Sequence, residues 1–290
     1  MKYSYYILLL VLSLNFSSKL MAQKQDNVYY DKNWKVIHDS TKAFYYRTAV
    51  RTGLHYYFVK DYYINDTLQM IGIYTDRAYN FKVDTFKFYH ENGKLAAVEY
   101  YIDNMLNGIY QTYYPNGQLK SNGFYNADDK TGSWSYYHEN GQLASKGLKA
   151  RDKSVGPWLF YHDNGKLKSK GAYHRNKRDG EWLFYFPDGK LQAEVVFKKG
   201  KAEKSQTYFA NGNKQSFGGF LNAQKQGTWR YYSADGRDIF SGNYISGLKI
   251  GKWIRKFKNE EEMIIDYSRG KPNIDVNSLI ITGFSLNETE

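Results

Sequence analysis

The stretch Gly132-Ser133-Trp134-Ser135-Tyr136-Tyr137-His138-Glu139-Asn140-Gly141-Gln142-Leu143-Ala144-Ser145-Lys146-Gly147 decides the fold. Aromatic side chains favour strands, and alternate residues of a strand share a face, so Trp134 to Tyr137 reads as a strand with Trp134 and Tyr136 on one side. Glu139-Asn140-Gly141 then turns the chain, because Asn tolerates and Gly freely enters the left-handed region that a short hairpin loop with a bulge requires. On the return, Leu143, Ser145 and Gly147 set a large, a small and an absent side chain along one face, which leaves room for a neighbouring ring. The stretch is one β-hairpin.

The hairpin recurs. Trp158, Tyr161, Asn164-Gly165, Leu167 and Gly171 stand 24 residues beyond their counterparts, and the leading position runs through Phe86, Tyr110, Trp134, Trp158, Trp182, Ser205, Trp229 and Trp253 with one step of 23. Seven residues after the leader come Gly93, Gly117, Gly141, Gly165, Gly189, Gly212 and Gly236. At an ordinary glycine frequency of about 7%, chance produces such a succession on the order of once in 10⁸. A tyrosine follows three residues after the leader in the same units, at Tyr89, Tyr113, Tyr137, Tyr161, Tyr185, Tyr208 and Tyr232, and an odd spacing puts it on the face opposite the tryptophans. No run carries apolar residues at helical spacing. The expected fold is all-β: an elongated single-layer array of antiparallel β-hairpin repeats with irregular ends, in which Trp158 packs between Trp134 and Trp182.

Four segments follow. Residues 1–22 read as a secretory signal peptide, with Lys2, an apolar run from Tyr5 to Phe16 and a cleavage region at Met21-Ala22-Gln23. The apolar run is shorter than the roughly 20 residues that span a bilayer. Residues 23–58 form an N-terminal β cap with Val28-Tyr29-Tyr30, a short turn capped by Asp39-Ser40, Phe44-Tyr45-Tyr46 and Leu54 to Val59. Residues 59–258 hold the array, opening on a degenerate unit with Tyr62, Asn65-Asp66, Leu68, Gly72 and Tyr74. Residues 259–290 are a C-terminal cap and tail, with Met263-Ile264-Ile265 as a closing strand and Leu279-Ile280-Ile281 beyond it. The mature chain is expected to be exported: periplasmic, cell-surface or extracellular.

The array resembles the variant MORN repeat (membrane occupation and recognition nexus), through Gly132, Trp134, Tyr137, Asn140, Gly141, Leu143 and Gly147 and their counterparts from about Tyr62 to Trp253. In bacteria such arrays occur in YwqK-type antitoxin-like proteins. The resemblance implies a twisted hairpin array used for binding, with lipids and proteins both proposed as partners. Ser205, Val195 and Glu260 depart from the motif, and packing is expected to weaken there.

Chemistry has few carriers. The 290 residues include no cysteine, which excludes disulfides, thiolate metal sites and a cysteine nucleophile. His90, His138 and His162 share one offset, but other units place Tyr114, Phe186, Phe209 or Ser233 there, so a structural role is expected and no metal. Glu139, Asp163 and Asp188 belong to turns. No nucleophile elbow, phosphate loop or His-Glu-x-x-His occurs, so neither catalysis nor a cofactor is expected. The net charge of +12 favours acidic partners. Lys146, Lys149, Arg151, Lys153, Lys166, Lys168, Lys170, Arg175, Lys177 and Arg178 crowd one segment, interleaved with aromatics that cations can reach. They are either a solvated rim that guards sheet edges or a binding patch.

The candidate partner-binding residues are therefore Tyr113, Tyr137, Tyr161, Tyr185, Lys166, Lys168, Lys170 and Arg175. Stacking with charge also suits nucleic acid, but export removes access to it, which leaves a protein or an acidic envelope component, anionic lipid or glycan. The expected function is an exported, non-catalytic binding scaffold, antitoxin- or immunity-like as a special case. A structural envelope protein and a glycan-processing enzyme are the alternatives.

Overall fold

Each hairpin pairs with the next, so the chain zigzags through one sheet. The computed structural model describes residues 27–237, 239–257 and 261–272, and the expectations for residues 1–22, Glu260 and Leu279-Ile280-Ile281 lie outside them. The described residues form 22 strands and no α-helix. Val28–Tyr30 pairs with Val36–Ile37 and with Tyr45–Arg51, and between these lies a 3₁₀ turn, Ser40–Lys42, whose cap Asp39 accepts from the Thr41 N–H. From Tyr45–Arg51 onward, pairing follows chain order, always antiparallel, to Glu262–Ser268 and Lys271–Pro272. Ile265 lies opposite Trp253, so the closing strand forms as expected.

Two kinds of turn alternate along the edges. The longer one is the expected Glu139-Asn140-Gly141 turn: Gly141 sits at φ 86 and donates to the His138 carbonyl, while the His138 N–H donates to that of Gln142. The other is a two-residue turn with both residues left-handed, as in Arg151-Asp152 (φ 47 and 63) and Arg175-Asn176 (φ 49 and 67). Its strain is offset by bonds to the preceding unit. Asp152 donates its N–H to the Lys130 carbonyl and accepts the Lys130 N–H at 3.0 Å, and Asp128 with Leu106 and Asn176 with Ser154 do the same.

The longer turns form a ladder of their own. Asn140 donates from Nδ2 to the Asp163 carbonyl at 2.8 Å and accepts the Gln142 N–H at 3.0 Å, and Asn92, Asn116, Asn164 and Asn211 bridge likewise. These bonds are exposed and each contributes about 0.5–1.5 kcal/mol at most. Asn140→Ala is expected to cost about 1 kcal/mol, read as a lower urea midpoint at unchanged slope.

The core is a row of rings, with all five described leading tryptophans at most 4% exposed. A Cβ on Gly147 would lie 2.2 Å from the Trp158 ring, and Gly123, Gly171, Gly218 and Gly242 underlie Trp134, Trp182, Trp229 and Trp253 in the same way. The glycine of one unit is thus the floor for the tryptophan of the next. The tryptophans do not stack on one another as expected. Trp158 stacks on Tyr136 at 6.4 Å and Phe160 at 5.9 Å and meets Tyr173 edge-on at 6.1 Å, because the second residues after the leaders Trp134 and Trp158 interpose their rings.

The departures Ser205 and Val195 are one exchange. They lie opposite each other, so a valine on the floor stands where a small leader leaves room. In the first unit the leader is Val59, fully buried opposite Gly72, and Tyr62 takes the place of Tyr137 rather than of Trp134.

Candidate partner-binding faces

Register fixes which candidates share a surface. The Tyr208 hydroxyl lies beside Gln206 and 3.1 Å from the Glu194 carboxylate, and Glu194 pairs with Gln206. The tyrosine three residues after a leader therefore shares a face with the residue twelve after one. Lys146 and Lys170 occupy that second place, Lys146 opposite Ser135 and Leu159, Lys170 opposite Leu159 and Leu183. Tyr113, Tyr137, Tyr161 and Tyr185, all half-buried, thus form one row with these lysines on the face away from the tryptophans. Phe124 (48% exposed), Leu148 (43%) and Val196, each one residue beyond a floor position, run along the same face.

The basic segment divides among three places. Lys168, the extra residue of the bulge opposite Tyr161, is exposed, and its counterpart Lys120 reaches over the Tyr114 ring rather than toward the tyrosine row. Lys166 belongs to the turn ladder, donating from Nζ to the Asp188 carbonyl at 2.9 Å. Arg175 projects from a two-residue turn at the opposite edge. Lys170 thus joins the tyrosines, whereas Lys166, Lys168 and Arg175 do not.

A second row of cations lies on the tryptophan face. Lys82, Lys130, Arg178, Lys225 and Lys249, each four residues before a leader, sit over Phe86, Trp134, Trp182, Trp229 and Trp253 at 4.5–5.2 Å from the ring centroids. At Trp158 that place is Ser154, and Lys149 reaches across from the neighbouring strand to 5.4 Å. The signal was legible as Lys or Arg four residues ahead of the leader. Burial pulls the Lys82, Lys149 and Lys225 ammonium groups below their usual range, and like charge on Lys130 and Lys249 adds to this for the last two. The row covers the indoles, each contact contributing on the order of 0.5–1 kcal/mol, and the expected cation–aromatic contacts of Lys149 and Arg178 are among them.

The histidines hold units together. Nε2 of His90, His138 and His162 lies 3.0–3.1 Å from the carbonyls of Tyr113, Tyr161 and Tyr185, one unit on. The hydroxyls of Tyr63 and Tyr114 donate to the Tyr89 and Tyr137 carbonyls from the same position. In these five units a donor at that place ties one hairpin to the next. Among the described residues no three His, Asp or Glu side chains gather as a metal site.

This is a single-sheet, hairpin-repeat architecture with two aromatic faces. Five of its units match the model of the MORN repeat variant, at residues 85–103, 106–127, 130–148, 154–175 and 178–199, and the structural repeat continues through Trp229 and Trp253. No curated protein matches the chain. Among solved structures, one titled "Crystal Structure of TcdB2-TccC3-TEV" is similar at 12% identity over 77% of this chain, with a TM-score of 0.20. This chain spans 15% of that one, a likeness too slight to inform fold or function.

Proposed function

We propose that the protein is an exported, non-catalytic binding scaffold whose tyrosine face receives an acidic partner, a protein surface or an acidic envelope component. The observation that carries this reading is the juxtaposition, on an uncovered sheet face, of Tyr137, Tyr161 and Tyr185 with Lys146 and Lys170 and the exposed Phe124 and Leu148. Rigid aromatic area with charge at its margin is what interface anchors require. Export rests on Lys2, the apolar run and Ala22-Gln23, and an antitoxin- or immunity-like role is the special case in which the partner is a toxin.

Capture of partners by the mature chain from the exported fraction tests the reading. Lys146→Gln with Lys170→Gln should leave stability within a fraction of a kcal/mol, since both are exposed, while weakening capture and its salt dependence. Tyr137→Ser with Tyr161→Ser should abolish capture. Lys166→Gln, at the turn edge, should leave it unchanged. Undiminished capture by the tyrosine variant at low salt rules this face out.

A further inference from the structure

The ring row on the tryptophan face breaks at one unit. Two residues after the leader, Phe88, Tyr136, Phe160, Phe184 and Tyr231 stack on the leader of their own unit at 5.8–6.3 Å. In the unit led by Ser205 that place holds Thr207, paired with Ala193. The other threonine there, Thr112, lies two residues from Tyr110, which carries the row on to Trp134 at 5.9 Å. Among the described residues no such ring lies beside Thr207. A cavity of about 470 Å³ opens instead, bordered by Phe184, Phe186, Phe209, Ala193, Thr207 and Tyr208. That volume is within the range of ligand pockets, about 300–1,000 Å³.

A hydrogen-bond series ends at the same unit, and Phe209 one unit further on has no donor either. Tyr63, His90, Tyr114, His138 and His162 each bond the carbonyl of the tyrosine one unit on. The next residue of that column is Phe186, which has no donor to offer the Tyr208 carbonyl, and both residues border the cavity. One place in the fold thus lacks both a ring that the repeat elsewhere supplies and a donor that it elsewhere supplies.

We infer that this recess receives an aromatic side chain carrying a polar hydrogen, tyrosine or tryptophan, from a partner polypeptide. The repeat shows how such a ring seats: on the flank of Phe184, much as Trp182 lies 6.0 Å from Phe160. The recess lies near the turn edge and opens to solvent, so a ring enters while its backbone stays outside. It is on the face opposite the tyrosine row and does not depend on that row's function.

Methyl-labelled protein, titrated with acetylated pentapeptides bearing a central Trp, Tyr, Phe or Leu between glycines, tests the inference. The Trp and Tyr peptides should shift the Ala193 and Thr207 methyl resonances and show contacts to Phe184. The Phe peptide should bind about two- to tenfold more weakly, the worth of one neutral hydrogen bond, and the Leu peptide should cause no shift. Thr207→Phe restores the missing ring and should abolish binding with the rest of the spectrum unchanged, whereas Thr207→Ser should retain it. Phe186→His restores the donor and should erase the preference of Trp over Phe. Equal binding of the Leu and Trp peptides, or undiminished binding by Thr207→Phe, overturns the inference. Saturation by free 3-methylindole without binding of the Trp peptide overturns the polypeptide source.

Discussion

Replacing Trp158 by alanine should lower stability by about 3–5 kcal/mol, as deletion of a large buried aromatic does. The ring is 4% exposed, stacks between Tyr136 and Phe160, donates from Nε1 to the Leu148 carbonyl at 3.1 Å and lies over the floor left by Gly147. Among the described residues no second layer covers the sheet to redistribute the loss. Because each hairpin pairs with its neighbours alone, hydrogen exchange should accelerate first in the strands Leu143–Ala150, Lys153–Tyr161 and Leu167–His174 and last at the ends of the sheet. Gly147→Ala should act in the same direction through the opposite cause, since its Cβ would meet the ring at 2.2 Å, and overpacking of that kind costs about 1–3 kcal/mol. Uniform acceleration across all described strands would sink the nearest-neighbour picture.

The features that were legible in the sequence are those whose residue type is dictated within a single hairpin. Asn140-Gly141 needs the left-handed region, Gly147 needs the absence of a Cβ, and alternation places Tyr137 away from Trp134, so the hairpin, its period and its two faces could be read directly. What depends on neighbouring units was hidden. The interposed rings of Tyr136 and Phe160, which separate the tryptophans, follow from stagger between adjacent strands rather than from spacing within one. The two-residue turns were missed because Ala127, Arg151 and Arg175 do not favour positive φ, and the bonds that hold them come from the unit before. The basic segment looked like one patch because it is contiguous in sequence, but a strand sends alternate residues to opposite faces and a turn sends others to an edge. Lys170, Lys166 and Arg175 end in three different places for that reason.

The end of the ring row is closed by charge, and removing half of that charge should be as costly as removing a tryptophan. Where later units carry Tyr136 or Phe160, the first has Asp61, whose side chain is 2% exposed and accepts from Arg47 Nε at 2.6 Å and Nη2 at 2.8 Å. The guanidinium in turn lies over Tyr79, Tyr30 and Tyr74 at 5.0, 5.5 and 5.7 Å. Burial pushes the Asp61 carboxyl up and Arg47 pulls it back, while burial disfavours the charge on Arg47 but the bonds to Asp61 prevail and hold it above its ordinary value. Asp61→Ala strands a cation among tyrosine rings and should cost about 3–5 kcal/mol. Arg47→Leu should cost less, because a buried carboxyl left with the weaker influence of Lys82 escapes by keeping its proton. Its folded pKa then lies further above the unfolded value of about 3.9. The variant should therefore be most stable below about pH 4 and lose stability as pH rises through the raised value. The double variant Asp61→Phe with Arg47→Leu restores the ring that later units use and should match or exceed the wild type, as apolar replacement of a buried pair often does. Urea midpoints for the three variants between about pH 4 and pH 8 decide the matter. A wild-type midpoint for Asp61→Ala at neutral pH, or a flat pH profile for Arg47→Leu, would show that the pair does not hold this end of the sheet.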